Sequence, residues 1–288
     1  MKVSDEVAGA LEDGRAVVAL ETTIVAHGFP RGDGVEVGRE CERRVREGGA
    51  VPATVGVLDG EIRVGLTPDE LDRFTPEARK VGPRDLAACA AQRAVGATTV
   101  GGTLAACRSA GIRVLGTGGI GGVHRDPRDV SPDLAQLART EAVVVSSGVK
   151  SLLDVEATSE LLETLAIPVL GYGTDELPLF YAARGGPPVS ARVDSAEEAA
   201  SVAQGHWELG GGGVLLARPP TESLDDVEPM IQSALLTAAS QGIVGQALTP
   251  FVLETLHRES SGRTLEANRK LVADNVALAA EVARCLSA

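Results

Sequence analysis

Short apolar runs rich in β-branched residues alternate along this chain with stretches whose apolar residues recur every three or four positions. The runs fall at 16–20, 98–100, 112–115, 142–145, 167–170 and 213–216. Helical patterns lie between them, over 33–48, 84–95, 103–110, 131–139, 157–165, 195–208 and 225–240. This alternation predicts an α/β fold with a central, mostly parallel sheet flanked by helices. A β-hairpin insertion interrupts it. Residues 53–58 and 61–64 read as strands joined by Asp59-Gly60, a dipeptide suited to a tight turn. The C-terminal part reads as a helical region, its last helix spanning about 265–286. No linker, repeat or low-complexity tract divides the chain, so one domain over 1–288 is expected.

Composition narrows the picture. The chain has 288 residues, 44% hydrophobic but only 2% aromatic, so the core must be aliphatic. A net charge of −13 excludes a nucleic-acid polymer as partner, because its phosphates would be repelled. A small phosphorylated ligand in a local pocket remains compatible. The four cysteines, Cys41, Cys89, Cys107 and Cys285, form no CxxC pair and read as reduced core thiols of a cytosolic protein. The N-terminus has no signal-peptide core, and no apolar run approaches the ~20 residues needed to span a bilayer. A cytoplasmic location is expected.

In a parallel sheet, ligands gather beyond the carboxyl ends of the strands. There the sequence places Glu21-Thr22-Thr23, Gly101-Gly102-Thr103, the stretch from Gly116 to Arg125, Ser146-Ser147-Gly148 followed by Lys150, and Gly171 to Asp175. Lys150 stands out because almost all other positive charge is arginine. Arginine keeps its proton, whereas an ammonium in an apolar pocket can lose it and become a nucleophile. A snorkelling lysine at a strand end is the plainer alternative. Glu21 is either a proton donor or a carboxylate capping neighbouring N–H groups. The glycines from Thr117 to Arg125 suit an anion, with Thr117, His124 and Arg125 as added donors; a flexible turn is the alternative. Ser131 fits a helix N-cap, Pro132 the first helical position and Asp133 a first-turn acid. That leaves Asp129, which could hold a hard cation with water completing its shell. With no His/Cys cluster, a caged transition metal is not expected. Lys80, read as a loop residue before a helix, could meet a phosphate or simply be solvated.

Several stretches resemble the pseudouridine-5′-phosphate glycosidase family, also called indigoidine-synthase-A-like. They are 19–28 (ALETTIVAHG), 49–54 (GAVPAT), 117–125 (TGGIGGVHR), 147–154 (SGVKSLLD), 171–175 (GYGTD), 249–251 (TPF) and 265–268 (LEAN). They follow in order over nearly the whole chain. The resemblance implies reversible cleavage of the C–C glycosidic bond of pseudouridine 5′-phosphate to uracil and ribose 5-phosphate, a lyase-type reaction that adds water. It implies Lys150 as the amine that forms an imine with the ring-opened ribose, and Glu21 as the proton donor. Lys80, Thr117 and His124 would contact the sugar phosphate. Val100 and Ser131, Pro132 and Asp133 would line the substrate site, and Asn268 would meet uracil or the opened sugar. Asp129 would hold a divalent metal, typically manganese, largely through water, with Asp133 the neighbouring alternative. A homotrimer is usual in the family.

The chemistry fits these residue types. Uracil C5 is a carbon leaving group, so a pair of carboxylates alone would not suffice. An imine at C1′ supplies the electron sink. Two departures stand out: a shorter loop between His124 and Asp129, and Arg218-Pro219 where family members commonly carry Asn-Pro. Another Schiff-base lyase or aldolase on a sugar phosphate would share Lys150. A non-catalytic binding domain would keep the fold without turnover.

Overall fold

Every residue of Val17–Glu21 is buried, as befits an apolar strand covered on both faces. It lies inside a sheet that, among the described residues, has eleven strands. The computed structural model describes all residues except 31, 126–128, 151, 225, 244, 246–247 and 288. From Val51–Leu58 the sheet continues through Val17–Glu21, Val114–Gly116, Val143–Ser146, Val214–Ala217, Val169–Tyr172 and Ala191–Val193, every neighbouring pair parallel. The α/β expectation therefore holds, with strand limits one or two residues from those read in the sequence. At this strand the shift makes Glu21 the last residue of the strand rather than the first after it.

The hairpin is present as Val51–Leu58 against Glu61–Val64. Asp59 and Gly60 both take positive φ, 55° and 88°, the geometry whose twist suits such a turn. Val51–Leu58 overshoots its neighbour. Val17–Glu21 pairs with it only as far as Val55, and beyond that point Gly96–Thr98 pairs with it antiparallel. That strand was expected at 98–100 with its carboxyl end on the common rim. It lies two residues earlier and runs the other way. It still delivers Thr98 to the level of Glu21, because the overshooting strand carries the sheet past the rim. Thr98 and Thr22 both donate hydroxyl hydrogen bonds to the Val55 carbonyl, each at 2.7 Å.

Val100 accordingly opens a helix, Val100–Ala110, instead of closing a strand; Thr99 caps it by accepting from Gly102 N–H at 3.2 Å. Lys80 is not in a loop. It sits in the short strand Arg79–Val81, opposite Ala97. The C-terminal helix Arg263–Ser287 crosses one face of the sheet. It packs on Val17–Glu21, Val114–Gly116 and Val143–Ser146 and between the helices Asp33–Glu47 and Ala196–Glu208. The four cysteines are free, and burial pushes the Cys41 and Cys107 thiols up to about 12. Among the described residues no helix is long and apolar enough to cross a membrane.

Candidate active site

Adjacent parallel strands end together, and so their next residues meet. Glu21 closes one strand and is 3% exposed. Its carboxylate accepts from the hydroxyls of Thr23 and of Thr117, the residue after Val114–Gly116. Thr117 is fixed in turn, its N–H donating to the Val145 carbonyl at 3.0 Å. Beyond Val143–Ser146 the two rim loops zip together. Ser147 N–H donates to Gly118 O at 2.8 Å, Ile120 N–H to Gly148 O at 3.1 Å, and Lys150 N–H to Ile120 O at 3.2 Å. Lys150 thus stands on a hydrogen-bonded base rather than on a loose loop. Gly148 has φ 80°, and a Cβ there would lie 2.2 Å from the Pro178 carbonyl, so the turn before Lys150 demands glycine.

Two chambers open at this rim. The smaller, about 60 Å³, is bounded by Glu21, Thr117, Lys80, Lys150, His27 and Asn268, with an apolar wall that includes Phe29, Phe180 and Leu253. The larger, about 370 Å³, is bounded by Arg84, His124, Asp129, Ser131, Pro132 and Asp133, and again by Lys80 and Lys150. The two lysines therefore form the partition. Burial first, and then the charge of Lys150, holds the Lys80 ammonium below the usual lysine range; Asp133, Glu21 and Asp129 oppose this. His27 is held below the usual imidazole range by burial and then by Lys80.

Asp133 is 4% exposed, and its oxygens are occupied. Oδ1 accepts from Gly101 N–H at 2.7 Å and from the Thr99 hydroxyl at 3.3 Å, and Oδ2 accepts from Gly121 N–H at 3.0 Å. Asp129 differs: its carboxylate is about half exposed and lies 3.8 Å from His124 Nε2. The glycine-rich loop is shaped largely by packing. A Cβ at Gly119 would lie 2.7 Å from the Phe180 ring, one at Gly121 2.3 Å from Ser131 Oγ, and one at Gly122 2.4 Å from Thr158 Oγ1.

The family model of indigoidine synthase A like proteins matches residues 6–285. The chain belongs to this family. A pseudouridine-5′-phosphate glycosidase of Streptomyces griseus is 49% identical over 292 residues, spanning 98% of this chain and 90% of the relative. One of the same name from Geobacillus kaustophilus is 44% identical over 294 residues, spanning 99% and 98%. The crystal structure of the prealnumycin C-glycosynthase AlnA in complex with ribulose 5-phosphate superposes with a TM-score of 0.90 at 42% identity, covering 99% of this chain and 96% of that one. An indigoidine synthase A-like protein from Thermotoga maritima gives 0.89 at 39% identity, covering 96% and 94%.

In this family member the residues picked out by sequence mostly converge. Glu21, Lys80, Thr117, Lys150 and Asn268 bound the smaller chamber. Lys80, Lys150, His124, Asp129, Ser131, Pro132 and Asp133 bound the larger. Val100 bounds neither; it is 1% exposed and packs in the core. Ser131 caps its helix as its spacing predicted, accepting from Asp133 N–H at 3.2 Å. Arg218 pairs with Asp274 at 3.2 Å and bounds neither chamber. The shortened loop lies partly outside the described residues, at 126–128.

Two residues escaped the sequence reading. Asn275, fully buried, donates to Thr117 O at 2.9 Å and to Ser147 Oγ at 3.1 Å. An amide about two helical turns after Asn268, on an otherwise apolar face, was the available signal. His27 stood inside a matched stretch without a role.

Among the described residues no group of three or more His, Cys, Asp or Glu side chains could hold a metal ion. The donor set fits a hard cation held by Asp129 alone and mostly by water, in a chamber roomy enough for that water.

Proposed function

We propose that the chain reversibly cleaves pseudouridine 5′-phosphate to uracil and ribose 5-phosphate through an imine on Lys150. One observation carries the reading: the acid Glu21 and the amine Lys150 bound the same small chamber, while Lys150 also opens onto the larger one. The base would occupy the former and the sugar phosphate the latter. The relatives' shared name and a structural neighbour solved with a pentulose phosphate support it.

The steps follow from the positions. Neutral Lys150 Nζ adds to C1′ as the C1′–O4′ bond breaks, and the proton shed by the new ammonium goes to O4′, which leaves Nζ a secondary amine with a lone pair. Glu21 gives its proton to C5 of uracil. The C1′–C5 pair returns to the uracil ring while the Nζ lone pair closes the C1′=N bond. Water then hydrolyses the imine to the aldehyde of ribose 5-phosphate and restores Lys150. Lys80 and His124 hold the phosphate sugar, and Asn268 meets the polar edge of the base. A divalent cation at Asp129, manganese in the family's usual form, would add positive charge beside the phosphate. Asp133 is left out of that role because its oxygens already accept backbone N–H groups. A homotrimer belongs to the same reading, and light scattering reads it.

The test is borohydride reduction in the presence of ribose 5-phosphate and uracil, followed by peptide mapping. A reduced adduct on Lys150, absent in Lys150→Ala, is expected together with uracil release from pseudouridine 5′-phosphate. An adduct on Lys80 or on no lysine refutes the mechanism. Turnover of a different sugar phosphate without uracil release assigns the chain to another Schiff-base reaction.

A further inference from the structure

Phe180 holds a backbone conformation that its side chain disfavours. Its φ is 64°, in the left-handed region where glycine fits freely and a bulky residue is strained. Glycine fills most positive-φ positions among the described residues, yet here the chain keeps a phenylalanine. Of Asp59, Arg93, Ala166, Phe180 and Ser261, the non-glycine residues with positive φ, only Phe180 bounds either chamber; it walls the smaller one. Strain retained at a ligand chamber points to a use for the side chain.

Neighbours hold Phe180 in place. Its N–H donates to Ser147 O at 3.1 Å, and Leu179 bridges antiparallel to Gly148, so this turn is pinned to the segment that leads to Lys150. The ring lies against the other rim loop. A Cβ at Gly119 would be 2.7 Å from ring atom Cδ2, and one at Gly118 3.5 Å from Cε2. The Tyr181 ring stands at 89° to it, centroids 4.7 Å apart. With 5% of its surface exposed, Phe180 is a fixed wall rather than a swinging flap.

Gly118 and Gly119 directly follow Thr117, whose hydroxyl holds Glu21, so this wall stands beside the acid. A base whose C5 faces Glu21 turns its next ring atom, C4 or C6, towards that neighbourhood. C4 carries a carbonyl oxygen, which an apolar wall leaves without a donor. C6 carries only hydrogen, so the favoured placement sets C6–H against Phe180. A methyl group on C6 leaves both N–H groups and both carbonyls in place and keeps C5 electron-rich. Chemistry does not reject it; a close-packed wall does.

We propose that Phe180 is a specificity-determining residue whose ring closes the base chamber against substituents on C6, so that uracil is accepted and 6-substituted uracils are refused. This deepens the function proposed above and rests on it.

The probe is the synthetic direction, ribose 5-phosphate with uracil or 6-methyluracil, singly and in competition, with the C-nucleoside products separated by mass. Wild type is expected to favour uracil by about tenfold to a hundredfold in kcat/KM. Phe180→Ala should narrow that ratio to about threefold or less, and Phe180→Leu, which keeps more apolar volume, should fall between the two. A purely structural role would slow both bases alike, so the ratio is the readout rather than the rate. An unchanged ratio in Phe180→Leu overturns the proposal, whether or not Phe180→Ala folds. Equal use of the two bases by wild type overturns it without any variant. Failure of wild type both to join uracil to ribose 5-phosphate and to release it from pseudouridine 5′-phosphate instead defeats the broader functional reading.

Discussion

Asn275, on the C-terminal helix, holds the Thr117 carbonyl at 2.9 Å, and the hydroxyl of the same threonine holds Glu21. A helix remote in sequence thus sets the position of the acid. Asn275→Leu keeps the side chain's bulk but leaves that carbonyl and the Ser147 hydroxyl without this partner. The expected destabilisation is about 1–3 kcal/mol by chemical denaturation. A kcat loss with KM little changed would follow from a displaced Glu21, and an unaltered kcat would show that the tie serves stability alone.

Glu21→Gln keeps the shape, with its oxygen accepting from one threonine hydroxyl and its NH2 donating to the other, which can turn to accept, but removes the transferable proton. The loss in kcat should be about 10²–10⁴-fold, with circular dichroism and melting near wild type. A variant turning over at the normal rate removes Glu21 from the acid role.

Asp133 joins the amides of Gly101 and Gly121, and with them the helix Val100–Ala110 to the glycine-rich loop. Asn at this position can accept at only one oxygen. Asp133→Asn should therefore cost about 1–3 kcal/mol of stability, and an unaffected denaturation midpoint would refute the clamp.

Lys80 carries a pH signature. Its folded-state pKa lies below the ordinary 10.5, because burial and Lys150 disfavour the charge. The unfolded chain thus holds this proton to higher pH than the folded one. The stability cost of charging Lys80 is fully present below the folded pKa and disappears as pH rises towards the ordinary lysine value. Lys80→Met should be more stable than wild type at neutral pH, with a gain that shrinks across that window. A gain independent of pH would point to packing instead.

Much of the architecture was legible because the central strands are buried on both faces and read as unbroken apolar runs, such as 142–145. Lys150 and Glu21 were legible for the same reason: each polar group follows or ends such a run. What stayed hidden was short or tertiary. Arg79–Val81 has three residues, too few for an alternating pattern, so Lys80 read as a loop residue. Gly96–Thr98 gave no sign that it runs antiparallel, because direction depends on pairing with the overshoot of Val51–Leu58. Asp133 looked like a helix-start acid and is one, but its bonds to Gly101 and Gly121 join segments distant in sequence.

The C-terminal helix has a consequence for how the protein is made. Asn268 and Asn275 belong to Arg263–Ser287, so a nascent chain still on the ribosome can pair most of its sheet yet lacks the clasp on the rim. On the proposed reading, a chain lacking this helix would be left with the scaffold and without the chemistry.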